Sequence, residues 1–540
     1  GGILVSRATE PVVLPAEAAG HISANLTVPQ PRLWAIDDPY LYRLELQAQV
    51  SGQFADSLTL PVGVRYFHFD PNTGFSLNGI SMKLKGVCLH EDAGALGSAI
   101  PIEVWQRRLQ LLKDMGCNAI RTSHNPPAPE FLDLCDRMGF LVMDEAFDEW
   151  TRGKKKWVNG HNQSRFVTVG YSKYFNQWSG IDLSAMIRRD RNHPSIILWS
   201  IGNEIDYKND AYPPNSPELP PIAARLIETV RALDRTRPIT AACASVGTNL
   251  FCDQLDVVGY NYQEPRYARD HAKYPSRIIF GSETAQLLPA WLAVQNNDFV
   301  AGQYLWTGID YLGEAPAWPD RSNEAGLLDL AGFPKPHYFL RKSLWSDQPM
   351  CYLWAAPRFA ICYSNCDSVE LFRDGTSLGE KSLGPTHTLL WPMVFDSGEL
   401  TAIGRDSRDG QLAEVCRFNL AHANPARGLS IRPDKTILSA RGDATGAGRL
   451  AQVEIVCVDE RGYLDTAAKP EISTRITGPI RILGIENGDP TSHESYQAAN
   501  HRAFRGRMLI YLQATGTPGM ARLNVAAANL QGASADFIVR

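Results

Sequence analysis

The sequence predicts a multidomain chain built round a closed (β/α)8 TIM barrel, with small β-sandwich domains before and after it. Three observations carry this expectation. Eight short apolar segments, at 84–89, 118–122, 140–144, 195–200, 238–242, 255–260, 277–282 and 301–306, mostly alternate with stretches of helical spacing. Such alternation over about 270 residues is that of a parallel sheet closed on itself. Upstream and downstream the text changes to a period of two broken by Gly, Asp and Asn turns, as in antiparallel sheets with one wet face. The chain, at 540 residues, also exceeds what one hydrophobic core can hold.

Taken in order, Leu26 to about Phe69 alternates, as in LYRLELQAQV and ADSLTLPVGVRYFHF. It is too short for a whole sandwich of about seven strands, so residues 1–65 are read as the C-terminal part of one. The barrel is expected over 66–346, introduced by the turn Leu77-Asn78-Gly79. Pro101-Ile102-Glu103 opens a helix with Trp105, Leu109, Leu112 and Met115 at helical spacing, and Gly116 ends it. Further helices are expected over Pro129 to Met138, near Leu183 to Arg191 after a long loop over about 150–180, and near Pro221 to Leu233.

The stretch HPSIILWSIGNE organises the rest. Four consecutive apolar residues, Ile196 to Trp199, suit a strand covered on both faces. Gly202 is expected to turn the backbone, so that Asn203 and Glu204 emerge at the C-terminal strand ends, where barrels gather their chemistry. After about Trp345 the helical spacing stops. Two sandwiches are expected, 347–422 and 423–540, joined near Asn424-Pro425.

Composition excludes several classes. Lys plus Arg number 53 against 58 Asp plus Glu, which offers no basic face for nucleic acid. No run of about 18 apolar residues spans a membrane. The opening GGILVSRATEPVVLP lacks an initiating Met and the order of a signal peptide, which leaves the compartment open between periplasmic, secreted and cytoplasmic. Most of the ten cysteines sit in apolar runs and are expected as buried free thiols. The close pair Cys362 and Cys366 has no second pair or His cluster to complete a zinc site. No cofactor is expected.

Glu204 ends the fourth barrel strand and Glu283 the seventh, so both would project over one open end. Two carboxyls across a sugar-sized cleft are what glycoside hydrolysis requires. Asn203 beside Glu204 offers an amide to a sugar hydroxyl, and Tyr262 could donate to Glu283. His90 and Glu91 follow strand one, Arg121 and His124 strand two, and Asp144, Glu145, Asp148 and Glu149 strand three. Trp306 closes strand eight and offers an aromatic wall. Plainer readings stand beside these: His124-Asn125-Pro126 and Asp144 as helix caps, Glu145 as a structural partner of Arg121, and Trp306 as core. Residue chemistry alone leaves open which acid does what.

The phrases LKGVCLHED, NAIRTSHNPPAPEFLDLCDRMGFLVMDEAFDEW, HPSIILWSIGNE, IIFGSE and GLLDLAGFPKPHYF, in that order over about residues 60–345, resemble glycoside hydrolase family 2, the β-galactosidase and β-glucuronidase family. The resemblance implies that Glu204 is the general acid/base and Glu283 the nucleophile of a double displacement with retention. It also implies that His90, Arg121, His124, Asn203, Tyr262 and Trp306 line the sugar subsite, joined by Asp148 and Glu149. It makes the early strands the end of an immunoglobulin-like domain, and the tail further sandwiches, the last of them immunoglobulin-like. A jelly-roll domain not included here is expected to pack on the barrel.

Two departures from the family pattern bear on chemistry. Glu149 corresponds to a magnesium ligand of well-studied bacterial β-galactosidases, but their His position here is Thr151, so no active-site metal is expected. The Asn-x-Lys that grips the sugar carboxylate in β-glucuronidases reads Asn323-Glu324-Ala325 here, which favours a neutral sugar. The function expected is therefore a retaining exo-β-galactosidase acting on a carbohydrate substrate, compatible with a homo-oligomer. Alternatives are a β-glucuronidase, β-mannosidase or α-L-arabinopyranosidase of the same family, or a non-catalytic carbohydrate-binding protein.

Overall fold

The computed structural model describes residues 2–15, 18–155, 170–207, 212, 215–246, 250–408, 411–443 and 446–540. Much of the loop expected over about 150–180, and Lys156 in its basic run, lie outside these. The chain enters with a largely exposed hairpin, β1 (Tyr42–Val50) and β2 (Gln53–Val62). A three-stranded sheet follows, β3 (Phe67–Asp70), β4 (Gly74–Leu77) and β5 (Ile80–Met82). The regular alternation read from Leu26 onward thus forms strands only from Tyr42.

Eight parallel strands then close into a barrel. They are β6 (Leu84–Leu89), β7 (Ala119–Thr122), β8 (Leu141–Glu145), β9 (Ile196–Asn203), β10 (Ile239–Cys243), β11 (Val258–Asn261), β12 (Ile279–Thr284) and β13 (Val300–Leu305). Closure is made by β13 against β6, from Gly302 opposite Leu84 to Leu305 opposite Val87. All eight segments expected as barrel strands are present, because a strand buried on both faces must be apolar along its whole length. Every residue of β9 is buried.

Helices α1 (Ile102–Asp114), α2 (Pro129–Met138), α3 (Phe175–Asp190), α4 (Leu219–Leu233), α5 (Tyr267–Lys273), α6 (Leu288–Gln295) and α7 (Pro336–Trp345) form the outer layer. Helix α3 starts eight residues before its expected position, because Phe175 and Ser179 extend the buried stripe of Leu183, Met186 and Ile187. Helix α2 ends on Gly139 at φ +75°. A Cβ there would lie 2.2 Å from the Ile36 carbonyl oxygen, so both the turn and the close approach of the entering chain require glycine.

One end of the barrel is plugged. Trp34, Phe69, Phe75 and Leu77 form one apolar cluster with the strand residues Leu84, Cys88, Ala119, Leu141, Ile197, Phe280 and Tyr304. Burying each such side chain stabilises the fold by about 1.5–3 kcal/mol. The floor is therefore sealed, and the C-terminal strand ends form the opening.

Beyond the short ladder β14 (Tyr311–Leu312) with β15 (Ser322–Asn323) come the sandwiches. In the first, β16 (Cys351–Ala356), β17 (Phe359–Ser364) and β20 (Thr388–Pro392) make one sheet. The other holds β18 (Ser368–Arg373), β19 (Thr376–Ser382), β21 (Glu399–Arg408) and β22 (Gln411–Ala421). Nine strands, from Gly428–Pro433 to Leu530–Val539, form the second. Its Leu450, Leu509 and Tyr511 pack on Ala93, Val104, Ala331 and Phe333 of the barrel. It also holds the chain between β14 and β15: Arg321 donates its backbone N–H to Pro490 (2.9 Å), and His493 bonds the Pro319 carbonyl (2.7 Å). Among the described residues no helix is long and apolar enough to cross a membrane.

Candidate active site

The turn after β9 is made by Glu204 itself, at φ +45°, and not by Gly202 as expected. The reason is packing: Gly202 lets the strand pass Trp150, whose indole nitrogen would lie 2.9 Å from a Cβ at that position. A non-glycine residue in the left-handed region costs about 1–3 kcal/mol. The surroundings hold it, with Glu204 N–H donating to the Ala242 carbonyl at 2.7 Å. Tyr262 is the counterpart after β11, at φ +52°, its N–H on the Glu283 carbonyl at 2.8 Å.

The side chains of Glu204 and Glu283 meet through one residue that the strand-end reading missed. Asn261, the last residue of β11, donates from a single amide nitrogen to Glu204 Oε1 (3.2 Å) and Glu283 Oε2 (3.3 Å). Those two oxygens can therefore be no farther apart than the two bonds laid end to end, the lower bound of the roughly 6.5–9.5 Å spacing of inverting pairs. Ser282 orients the amide by donating its hydroxyl to Asn261 Oδ1 at 2.6 Å.

Arg121 is the hub of the site and is fully buried. Its guanidinium holds Glu145 bidentately (3.0 and 2.9 Å), Glu283 Oε2 (2.9 Å), the Ser282 carbonyl (2.9 Å) and Asn203 Oδ1 (2.8 Å). Planar, forked donors suit such a task where an ammonium would not. Burial alone would raise the Glu145 carboxyl, but Arg121 and His124 outweigh it and bring it down to about 2. Glu145 thus serves as the paired anion of Arg121.

Arg121 is not among the groups bonded to Glu204; the amide of Asn261 is. Burial pushes the Glu204 carboxyl up, and the charge of Glu283 adds to that, to about 7. The tyrosine hydroxyl of Tyr262 bonds Glu283.

The other strand-end residues sort themselves by partner. His124 Nδ1 meets Glu145 at 2.6 Å, which leaves Nε2 to accept from Asn203 Nδ2 at 3.2 Å. Asn203 also donates to Asp148 (3.1 Å), and Lys154 pairs with Asp148 at 2.7 Å. His124 stacks on Trp306 with ring centroids 5.3 Å apart, and His90 stacks on Tyr311 at 3.8 Å. Burial, then His124 and Arg121, lower the His90 imidazole to about 3, which keeps it neutral. His124 and Asn125 do not cap α2, whose N-cap is Ala128. Asp144 is no helix cap either; it is buried beneath the rim against Asp190.

Glu149 is anchored within its own loop. Its two carboxylate oxygens accept the backbone N–H groups of Ser172 (2.9 Å) and Lys154 (3.0 Å), which fastens the loop. Thr151 bonds the hydroxyl of Tyr212. A carboxylate engaged by two amides beside a threonine does not fit the magnesium site that the resemblance implies. Among the described residues, the groups of three His, Cys, Asp or Glu side chains close enough to share an ion lie elsewhere.

A closed barrel with two acids converging at its open end, one protonated near neutrality and one held beside an arginine, defines a glycoside hydrolase. Comparison with known proteins gives the family. Residues 71–278 match the TIM barrel domain of glycosyl hydrolases family 2, residues 4–65 match glycosyl hydrolases family 2, and residues 429–536 match its C-terminal domain 5. The beta-galactosidase BoGH2A of Bacteroides ovatus is 36% identical over 96% of this chain and 69% of its own. A putative beta-glucuronidase of Formosa agariphila is 28% identical over 94% of this chain and 53% of its own. A crystal structure of a family 2 member from Bacteroides cellulosilyticus superposes with a TM-score of 0.85 at 32% identity, covering 95% of this chain and 70% of that one. The chain belongs to glycoside hydrolase family 2.

Proposed function

We propose that the protein is a retaining, exo-acting β-galactosidase. The observation that carries the mechanism is the single Asn261 nitrogen bonded to both carboxylates, compatible with the about 5–5.5 Å of a retaining pair. Glu204, protonated near neutral pH, gives its proton to the glycosidic oxygen as the bond to the leaving group breaks. Glu283, held by Arg121 and oriented by Asn261 and Tyr262, attacks the anomeric carbon and forms a glycosyl ester. Glu204, now ionised, takes a proton from water, which displaces Glu283 and restores the starting configuration. Trp306, only partly buried, offers an aromatic face to the apolar side of the sugar.

A neutral sugar is favoured by the charges beside Trp306. Ala325 N–H is taken by Asn323 Oδ1 (2.8 Å), and Ala325 brings no cation. Lys335 is locked on Asp310 (2.8 and 3.0 Å), and Arg321 faces Glu486 (3.4 Å). A sugar carboxylate would find no lysine in this segment to pair with. The similarity to BoGH2A supports the galactoside; the similarity to the putative beta-glucuronidase supports a β-glucuronide as second reading.

A panel of aryl glycosides tests both, with the β-galactoside expected to turn over fastest. Glu283→Gly should be inactive, and azide should restore turnover with an α-glycosyl azide as product. Full activity in Glu283→Gln would end the mechanism, and fastest turnover of the β-glucuronide would end the choice of substrate.

A further inference from the structure

The first C-terminal sandwich holds a cluster that the sugar site does not use. Cys351 opens β16 in one sheet, Cys416 lies within β22 in the other, and Cys366 sits in the link that crosses between them from β17 to β18. The Cys416 sulfur is 3.4 Å from that of Cys366 and 3.4 Å from that of Cys351. All three sulfurs lie within 4.8 Å of one another.

They converge on one glycine. Gly404 stands opposite Cys416 across β21 and β22. A Cβ on Gly404 would be 2.6 Å from the Cys366 and Cys416 sulfurs and 2.8 Å from that of Cys351. The absence of a side chain at that one place lets three sulfurs from two sheets face a common point. Leu353, Val369, Leu371, Leu400 and Ala402 are buried against the cluster. The nearby oxygens engage each other, the Ser364 hydroxyl donating to the Met350 carbonyl at 2.8 Å. They lie 3.6 Å from the Cys351 sulfur and 3.8 Å from that of Cys366, respectively, so the three thiols are the donors that converge.

We propose that Cys351, Cys366 and Cys416 form a trigonal thiolate site for a soft, thiophilic d10 cation such as Cu(I) or Cd(II). A donor set of three sulfurs selects such ions over Mg2+ or Ca2+, which need several oxygens. With metal–sulfur bonds of about 2.3 Å, a planar site holds its sulfurs about 4 Å apart. Reaching that spacing takes only a small outward movement of the three side chains. Each metal–sulfur bond replaces an S–H bond and sends its proton to solvent, with no change of oxidation state. The bound ion cross-links the two sheets, so its role is to stabilise this domain, apart from the glycosidase chemistry.

The test uses the full chain, kept reduced without thiols and free of oxygen, titrated with Cd(II). The proposal expects a thiolate-to-metal charge-transfer band that saturates at one ion per chain, a rise in Tm, and a cadmium-edge absorption spectrum with a shell of three sulfurs. Cys416→Ser should weaken binding by more than about 100-fold, the upper end of what loss of an outer partner costs. Gly404→Ala should block the site with all three thiols present, whereas Cys457→Ser, a buried thiol in the other sandwich, should bind as the parent does. A shell containing oxygen or nitrogen in the parent chain overturns the proposal without recourse to any variant. So does an undiminished band in Cys416→Ser with its circular dichroism intact.

Discussion

Glu145 and Glu204 close neighbouring strands, β8 and β9, at the same rim of the barrel, and their carboxyls are driven in opposite directions. Burial raises both. Glu145 also receives both arms of Arg121, the ring of His124 and the hydroxyl of Ser200 at 2.7 Å, and ends at about 2. Glu204 has an amide from Asn261 and the negative charge of Glu283 nearby, and ends at about 7. The difference lies in the partners. An arginine that reaches Glu145 but is not bonded to Glu204 lets one rim hold an ionised carboxylate and a protonated acid at the same pH.

The largest way to break this contrast is to remove the acid. Glu204→Gln should cut kcat/KM by about 10²–10⁴-fold on aryl galactosides with poor leaving groups. Substrates whose leaving group needs no proton should lose much less in the glycosylation step. Equal losses across leaving groups would show that Glu204 is not the proton donor.

Removing the shared cation comes next. Arg121→Ala leaves buried Glu145 with only His124 and Ser200 to hold its charge, which should destabilise the fold by about 3–5 kcal/mol. The loss should appear in chemical denaturation with little change in slope, and a loss under 1 kcal/mol would mean that water replaces the guanidinium.

The third consequence concerns stability against pH. Glu204 binds its proton more tightly in the folded chain than at its ordinary value of 4.5. Its contribution is therefore complete below pH 4.5 and is lost as pH rises through about 7. Glu204→Gln, which cannot ionise, should gain about 3 kcal/mol over the parent above that range and little below it. Thermal melts at the two extremes read the difference, and a gain at acid pH instead would reverse the sign. The smallest effect belongs to Asn261, whose bond favours the ionised form of Glu204. Asn261→Ala should move the basic limb of kcat/KM upward by about half a unit, while a downward move would mean that its amide stabilises the neutral acid.

The barrel was legible because its strands are continuous apolar runs, a local property that survives without knowledge of the fold. Helix α6, LPAWLAVQ, was not singled out, because it is apolar nearly all round and shows no helical stripe. At the rim, Glu204 and Glu283 could be picked out as acids closing strands. Asn261 could not, since a single amide within GYNY carries no signal until Ser282 and the two carboxylates surround it. The anchoring of Glu149 was hidden for the converse reason: its identity suggests a ligand, but its oxygens meet the backbone amides of Lys154, five residues on, and of Ser172, 23 residues on. Cys351 and Cys416 lie 65 residues apart, and no spacing rule brings them together.

Read alone, the sequence determined which segments are strands, in what order they come, and which residue types stand at their ends, because apolar periodicity and turn chemistry act between near neighbours along the chain. Only the folded structure decided which carboxyl keeps its proton, which anion Arg121 grips with both arms, and which thiols face one another. Proton affinity, ion pairing and sulfur contact depend on separation in space, and that separation is produced by closing the barrel and packing the sheets.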